Sequence, residues 1–184
     1  MGKFDKYKGL FAEKGGFDIP ESYGAGFAWK AGPAWTVSGD YKHISYSKVA
    51  AVGNTVNCLF AGACQLGADN GAGFGWGDMD VYKLGVTYEY SKAWTWRAGY
   101  SYGKQPIPAS QTLFNILAPA VNNDHLTFGA TWTMPSKGEL TFAYMHAFEN
   151  TVSGSASIPA AFGGGNANLK MYQDSFGVAY GIKF

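Results

Sequence analysis

Residues 124–134 set Leu126, Phe128, Ala130, Trp132 and Met134 to one side and His125, Thr127, Gly129, Thr131 and Thr133 to the other. Alternation held over ten residues is the pattern of an extended strand with one apolar and one polar face. The pattern returns at 94–103, where Trp94, Trp96, Ala98, Tyr100 and Tyr102 oppose Thr95, Arg97, Gly99, Ser101 and Gly103. It returns again at 81–90, 139–148 and 171–184, and less cleanly at 22–31 and 34–46. Seven such segments predict an all-β chain.

The apolar faces decide which kind of all-β chain. They are rich in Tyr and Trp, concentrated toward strand ends, while the opposite faces are small, hydroxylated or charged. A soluble sandwich has the reverse economy, with Lys, Glu and Thr outward and aliphatic residues inward. Charged residues are only 15% of the chain and aromatics 17%, yet mean hydropathy is −0.12. Soluble domains carry about 25% charged residues. No run of about 18 apolar residues exists to make a membrane-spanning helix. A transmembrane antiparallel β-barrel fits all of this, with apolar residues toward lipid and polar ones toward the lumen. The net charge of +1 and scattered Lys and Arg give no basic stripe, so no nucleic-acid partner is expected.

The connections alternate in length. Ala31-Gly32-Pro33, Ser91-Lys92-Ala93 and Pro135-Ser136-Lys137 are tight turns, whereas 47–79, 104–123 and 149–170 are long. Outer-membrane barrels have short periplasmic turns and long extracellular loops. Seven strands is odd, however, and an open sheet leaves unpaired edges in lipid. The expectation is that 1–184 is the C-terminal part of one barrel domain. Residues 1–19 then continue a preceding loop or strand. Met1–Lys6 show no apolar secretory stretch, which agrees with an N-terminus lying upstream.

Several ordered segments resemble the FadL/TodX-like outer-membrane transporters of long-chain fatty acids and aromatic hydrocarbons. They are Lys8–Pro20, Gly73–Met79, Gln105–Pro108, Phe114–Pro119, Ala143–Phe148 and Gly177–Phe184. The resemblance covers essentially the whole chain. It implies a fourteen-stranded barrel with an N-terminal hatch, of which this fragment matches the last seven strands. The hatch and the inward-kinked strand of the family are absent from it.

Candidate ligand contacts follow from residue types. Leu113, Phe114, Ile116 and Leu117 form an apolar cluster in a long loop, either a capture surface or a lid over neighbouring loops. Phe74 and Trp76 are either a hydrophobic wall at the mouth or aromatic anchors at the outer boundary. Lys83 and Arg97 either neutralise a fatty-acid carboxylate or join a lumenal ion-pair network with Lys30, Asp40, Lys42, Glu89 and Lys183. Cys58 and Cys64 are spaced for a small disulfide loop, which persists outside the cell. Terminal Phe184 resembles the signal read by the barrel-assembly machinery.

His43, His125 and His146 lack metal-ligand spacing. Asp40 is close enough in sequence to pair with His43, but no nucleophile elbow accompanies them. No catalytic residue and no cofactor are expected.

Three functional readings follow. The first is passive transport of a hydrophobic small molecule across the bacterial outer membrane by an integral barrel that also contacts outer-membrane lipid. The second is a structural or adhesive barrel remnant. The third is a soluble carbohydrate-binding sandwich.

Overall fold

The alternating segments become strands and pair in sequence order. The computed structural model describes residues 9–135 and 138–182. It contains β1 (Ser22–Lys30), β2 (Trp35–Ile44), β3 (Met79–Glu89), β4 (Trp94–Gly103), β5 (Asp124–Thr133), β6 (Gly138–Val152) and β7 (Leu169–Ile182). All seven form one antiparallel sheet in the order β1 to β7. No helix among the described residues is long and apolar enough to cross a membrane, which leaves strand crossing open. Ser136, Lys137, Lys183 and Phe184 lie outside the described residues, so the third tight turn is described only at Pro135. The expected assembly signal at Phe184 falls outside them too.

The registers carry the two faces of each strand unbroken across the sheet. Ala28, Ser38, Gly85, Gly99, Thr127, Met145 and Ser175 stand in one row. Toward the tight turns the next row is Lys30, Thr36, Thr87, Arg97, Gly129, Ala143 and Gly177. Residues of β2 and β7 line one trough together with the strands between them, so the sheet curls around this inner face. The outer face carries the large rings. Trp35 stacks on Tyr88 at 4.2 Å and Trp94 on Trp132 at 6.1 Å near the tight turns. Tyr41 meets Tyr82 at 5.3 Å and His146 meets Phe148 edge-on at 4.8 Å nearer the long loops. Two aromatic belts therefore bracket the apolar zone, as a membrane boundary requires. β1 and β7 are the edges of the sheet, and in lipid both need further strands to pair with.

β6 is longer than its sequence pattern suggests. Alternation predicts a strand ending at 148 and a loop from 149, but β6 runs to Val152 and β7 begins at Leu169 rather than 171. The cause is a β-bulge. Ala147 pairs with Gln173 and Asn150 with Met171, so Phe148 and Glu149 oppose one residue. The extra residue reverses the parity of β6 and hides the strand from a period-two reading. Above the bulge Asn150 and Val152 share the inner face with Met171 and Leu169. Val152 and Leu169 are buried with Ile107 and Val121, and Trp76 and Met171 flank them.

Candidate functional site

Two features occupy the inner side of the sheet: a trough at mid-height and a plug of loops at one end. The trough encloses about 600 Å³ and its inner-face lining is mostly Gly, Ala, Ser and Thr, with Met145 and Arg97 the larger members. Small residues there leave the middle of the curved sheet open. Arg97 Nη1 donates to Thr131 Oγ1 at 2.7 Å, and Thr131 and Thr141 share a hydroxyl contact at 3.0 Å. Lys83 is in a different place. It pairs in register with Asp40 and lines a separate hollow of about 450 Å³ with Asp40 and Lys42. Thus the two cations considered for a carboxylate ligand do not converge.

The plug is built by the first and second long loops together with residues 9–21. Phe11, Phe17, Phe74 and Phe114 meet ring to ring, with centroids of 4.9 Å for Phe11–Phe17 and Phe11–Phe74 and 5.6 Å for Phe74–Phe114. Trp76 continues the group, 5.9 Å from Phe74 and edge-on to Tyr46 at 5.2 Å. Phe74, Trp76, Leu113 and Phe114 are half-buried here, whereas Ile116 and Leu117 remain exposed at 57% and 65%. The loop at 104–123 contains two single helical turns, Ala109–Gln111 and Phe114–Leu117.

Two buried amides join the loops, and sequence reasoning passed over them. Asn115 Nδ2 donates to the Phe74 carbonyl at 2.6 Å and the Gln111 carbonyl at 2.8 Å, and Asn115 Oδ1 accepts from Trp76 Nε1 at 2.6 Å. Gln111 Oε1 accepts the Val56 N–H at 3.0 Å, while its Nε2 donates to Asn57 Oδ1 at 3.2 Å. The signal in the sequence was a pair of amides four residues apart, Gln111 and Asn115, bracketing Leu113 and Phe114 of the apolar cluster. The glycines at 73 and 75 serve close approach. A Cβ on Gly75, which sits at φ +70°, would lie 2.6 Å from Gln111 Cγ, and one on Gly73 would lie 2.5 Å from the Ala50 carbonyl oxygen. Outside the plug, Ser47 N–H donates to Asp78 Oδ1 at 3.0 Å and holds that carboxyl below its ordinary range.

Cys58 and Cys64 are disulfide-bonded, and Phe60 between them rests edge-on against Phe162 of the third long loop at 5.8 Å. Chain entropy assigns so short a ring about 2 kcal/mol. Reduction, or Cys58→Ser with Cys64→Ser, is expected to speed proteolysis within 55–70 while the strands stay intact. Limited proteolysis read by mass spectrometry checks this; equal cleavage of both forms would remove the disulfide as a constraint on the loop.

His43 does not meet Asp40, contrary to the pairing open from sequence. Asp40 faces inward and His43 outward, because positions three apart on a strand lie on opposite faces. His43 Nδ1 instead contacts Asp80 Oδ1 at 2.8 Å, and Tyr41 Oη donates to the same oxygen at 2.7 Å. His146 and Tyr144 repeat this on Asp174 at 2.8 and 2.7 Å. Among the described residues no group of three or more His, Cys, Asp or Glu is disposed to hold a metal.

A curled antiparallel sheet with belted rings outside, an open trough inside and a loop plug calls for comparison with known membrane channels. The family described as outer membrane protein transport protein (OMPP1/FadL/TodX) has a model that matches residues 14–184. The chain belongs to this family. Among OMPP1/FadL/TodX relatives, a long-chain fatty acid transport protein of Escherichia coli O6:H1 (strain CFT073) is 26% identical over 136 residues. That match covers 70% of this chain and 27% of the relative. The crystal structure of the Pseudomonas putida toluene transporter TodX matches with a TM-score of 0.53 and 19% identity, over 89% of this chain and 34% of that one. The Ralstonia pickettii toluene transporter TbuX matches with a TM-score of 0.51 and 16% identity, over 89% and 33%. At these identities the structural likeness is one of fold. The chain spans about a third or less of each of these relatives. The family and the all-β barrel fold expected from sequence are both found.

Proposed function

We propose that this chain forms part of the wall and the outer plug of a passive conduit for hydrophobic small molecules across the bacterial outer membrane. The observation that carries the reading is the row of small residues across the inner face. It leaves an open trough beneath an aromatic plug, and nearly all of that trough is uncharged. Ile116 and Leu117 collect cargo from the aqueous side. Phe74, Trp76, Leu113 and Phe114 hold it in the plug, and the trough receives it below. Arg97 gives a fatty-acid carboxylate a charge-assisted partner at mid-height, and Lys83 offers a second cation nearer the plug. A neutral aromatic hydrocarbon needs neither. No covalent step enters, so the work is binding and diffusion alone. Outer-membrane lipid covers the belted face, and Phe184 is the position through which the assembly machinery would recognise the chain.

The barrel purified from membranes and reconstituted in liposomes should admit both cargo types without an energy source. Arg97→Met is expected to slow fatty-acid uptake about tenfold, the size of one charge-assisted hydrogen bond. Uptake of a monoaromatic hydrocarbon should be unchanged. Equal slowing of both would show that Arg97 shapes the trough instead of meeting a carboxylate, and no uptake of either would remove the conduit reading.

A further inference from the structure

β6 rises above its neighbour on one side. β5 and β6 pair only as far as His125 with Ala147, so Glu149 to Val152 stand clear of β5. On the other flank β3 extends to Met79, while β4 ends at Gly103 opposite Val81. The β4–β5 rim is therefore a notch in the wall. Residues 104–109 turn inward behind it, where Ile107 joins the buried cluster. A cleft of about 880 Å³ fills the notch, within the size range of small-ligand sites.

The lining is unlike the trough. Tyr82 and Tyr102 belong to the outer face, 53% and 40% exposed, and Asp80, Lys104, Asn123 and Thr151 surround them. Pro106, Ile107, Pro108 and Val152 close the inner side. An apolar cargo seated here would strip water from a carboxylate, an ammonium and an amide without replacing their hydrogen bonds, which is costly. Nor does the cleft suit a metal, since no ligand cluster exists among the described residues. What fits is a molecule with flat apolar C–H faces rimmed by hydroxyls, for which tyrosine rings supply platforms and side-chain polar groups supply donors and acceptors. Asp80 is already held for such work. Tyr41 and His43 both bond its Oδ1, which fixes the carboxylate and leaves acceptor capacity on its second oxygen.

We propose that this notch is a saccharide site, taking one or a few sugar rings. Tyr82 and Tyr102 lie against ring faces, Asp80 and Asn123 bond hydroxyls, and Lys104 meets an acidic or phosphate substituent. Two sources supply that chemistry at an outer rim: the headgroup of a membrane glycolipid and a free oligosaccharide. Tyr82 and Tyr102 face outward, so the two platforms stand on the opposite side of the sheet from the small residues of the trough.

The test uses the barrel purified from membranes and placed in nanodiscs. Lipopolysaccharide and its lipid-free core oligosaccharide are titrated separately, with binding read by calorimetry and by saturation-transfer NMR. Tyr82→Ala with Tyr102→Ala is expected to weaken binding about tenfold or more, the loss of roughly one good contact. Tyr82→Phe with Tyr102→Phe should retain most of it, and hydrocarbon uptake should continue in both. Binding of the lipid-linked form alone assigns the site to a glycolipid headgroup, and equal binding of both assigns it to the sugar itself. No binding of either by the unmodified protein overturns the proposal, as does binding that the alanine pair leaves unchanged. Heat-modifiable migration on gels shows that each variant is folded, so a misfolded alanine pair is replaced by Lys104→Gln in the same comparison.

Discussion

With Gly177 replaced by tryptophan, uptake of apolar cargo is expected to fall on the order of tenfold, since a diffusion barrier raised by about 1.4 kcal/mol is already tenfold in rate. Gly177 lies in the trough lining, and a Cβ built there meets nothing nearer than Ala143 Cβ at 3.8 Å. The new ring therefore has room to rise into the open space instead of displacing the strand. Val178, next along β7, faces outward and is 69% exposed. Val178→Trp adds a ring of the same size to the belted face and should transport normally. Uptake of a labelled hydrocarbon into liposomes compares the two. If both variants transport alike, the trough is not the route.

The second large effect is expected at Asn115. Asn115→Leu keeps similar bulk but leaves the Trp76 indole N–H and the Phe74 carbonyl without the partner each now has. An orphaned polar group in a buried setting costs about 1–3 kcal/mol, so losing both contacts should shift plug opening by about 3 kcal/mol. That is roughly a hundredfold in the open fraction. Hydrogen exchange of residues 72–77 and 109–117 should quicken accordingly, with β2 to β7 unaffected. Asn115→Asp should fall between, because it still accepts from Trp76 but cannot donate to Phe74. Unchanged exchange in the leucine variant would mean that ring contacts alone hold the plug.

The strands were legible because a membrane wall leaves few choices. Each residue faces lipid or lumen, so composition alternates as strictly as geometry does, and 94–103 or 124–133 can be placed within a residue. The upper part of β6 was not legible, because one inserted residue shifts Asn150 and Val152 to the face that odd positions held below. The plug was legible only in part. Phe74, Trp76 and Phe114 stood out as apolar residues in long loops, but their mutual contact depends on chain segments far apart in sequence. The amides that fix that contact look like ordinary loop residues. Phe11 and Ala12 join them although 1–19 reads as a connecting stretch: Ala12 N–H donates to the Ala72 carbonyl at 2.8 Å. The cleft at the β4–β5 rim had no linear signature, since it arises from the unequal heights of neighbouring strands.

That one-residue offset in β6 also bears on how loops can be exchanged between such barrels. Below it the strand obeys the wall, and above it the same strand obeys the plug. A graft that takes only residues 153–168 inherits the recipient's phase, and unless the recipient carries the same offset, the side chain in place of Val152 points outward. A graft cut at Ala147 and Gln173 carries its own phase with it, and the third long loop becomes a portable unit whose boundary is set by the bulge and not by the end of the sheet.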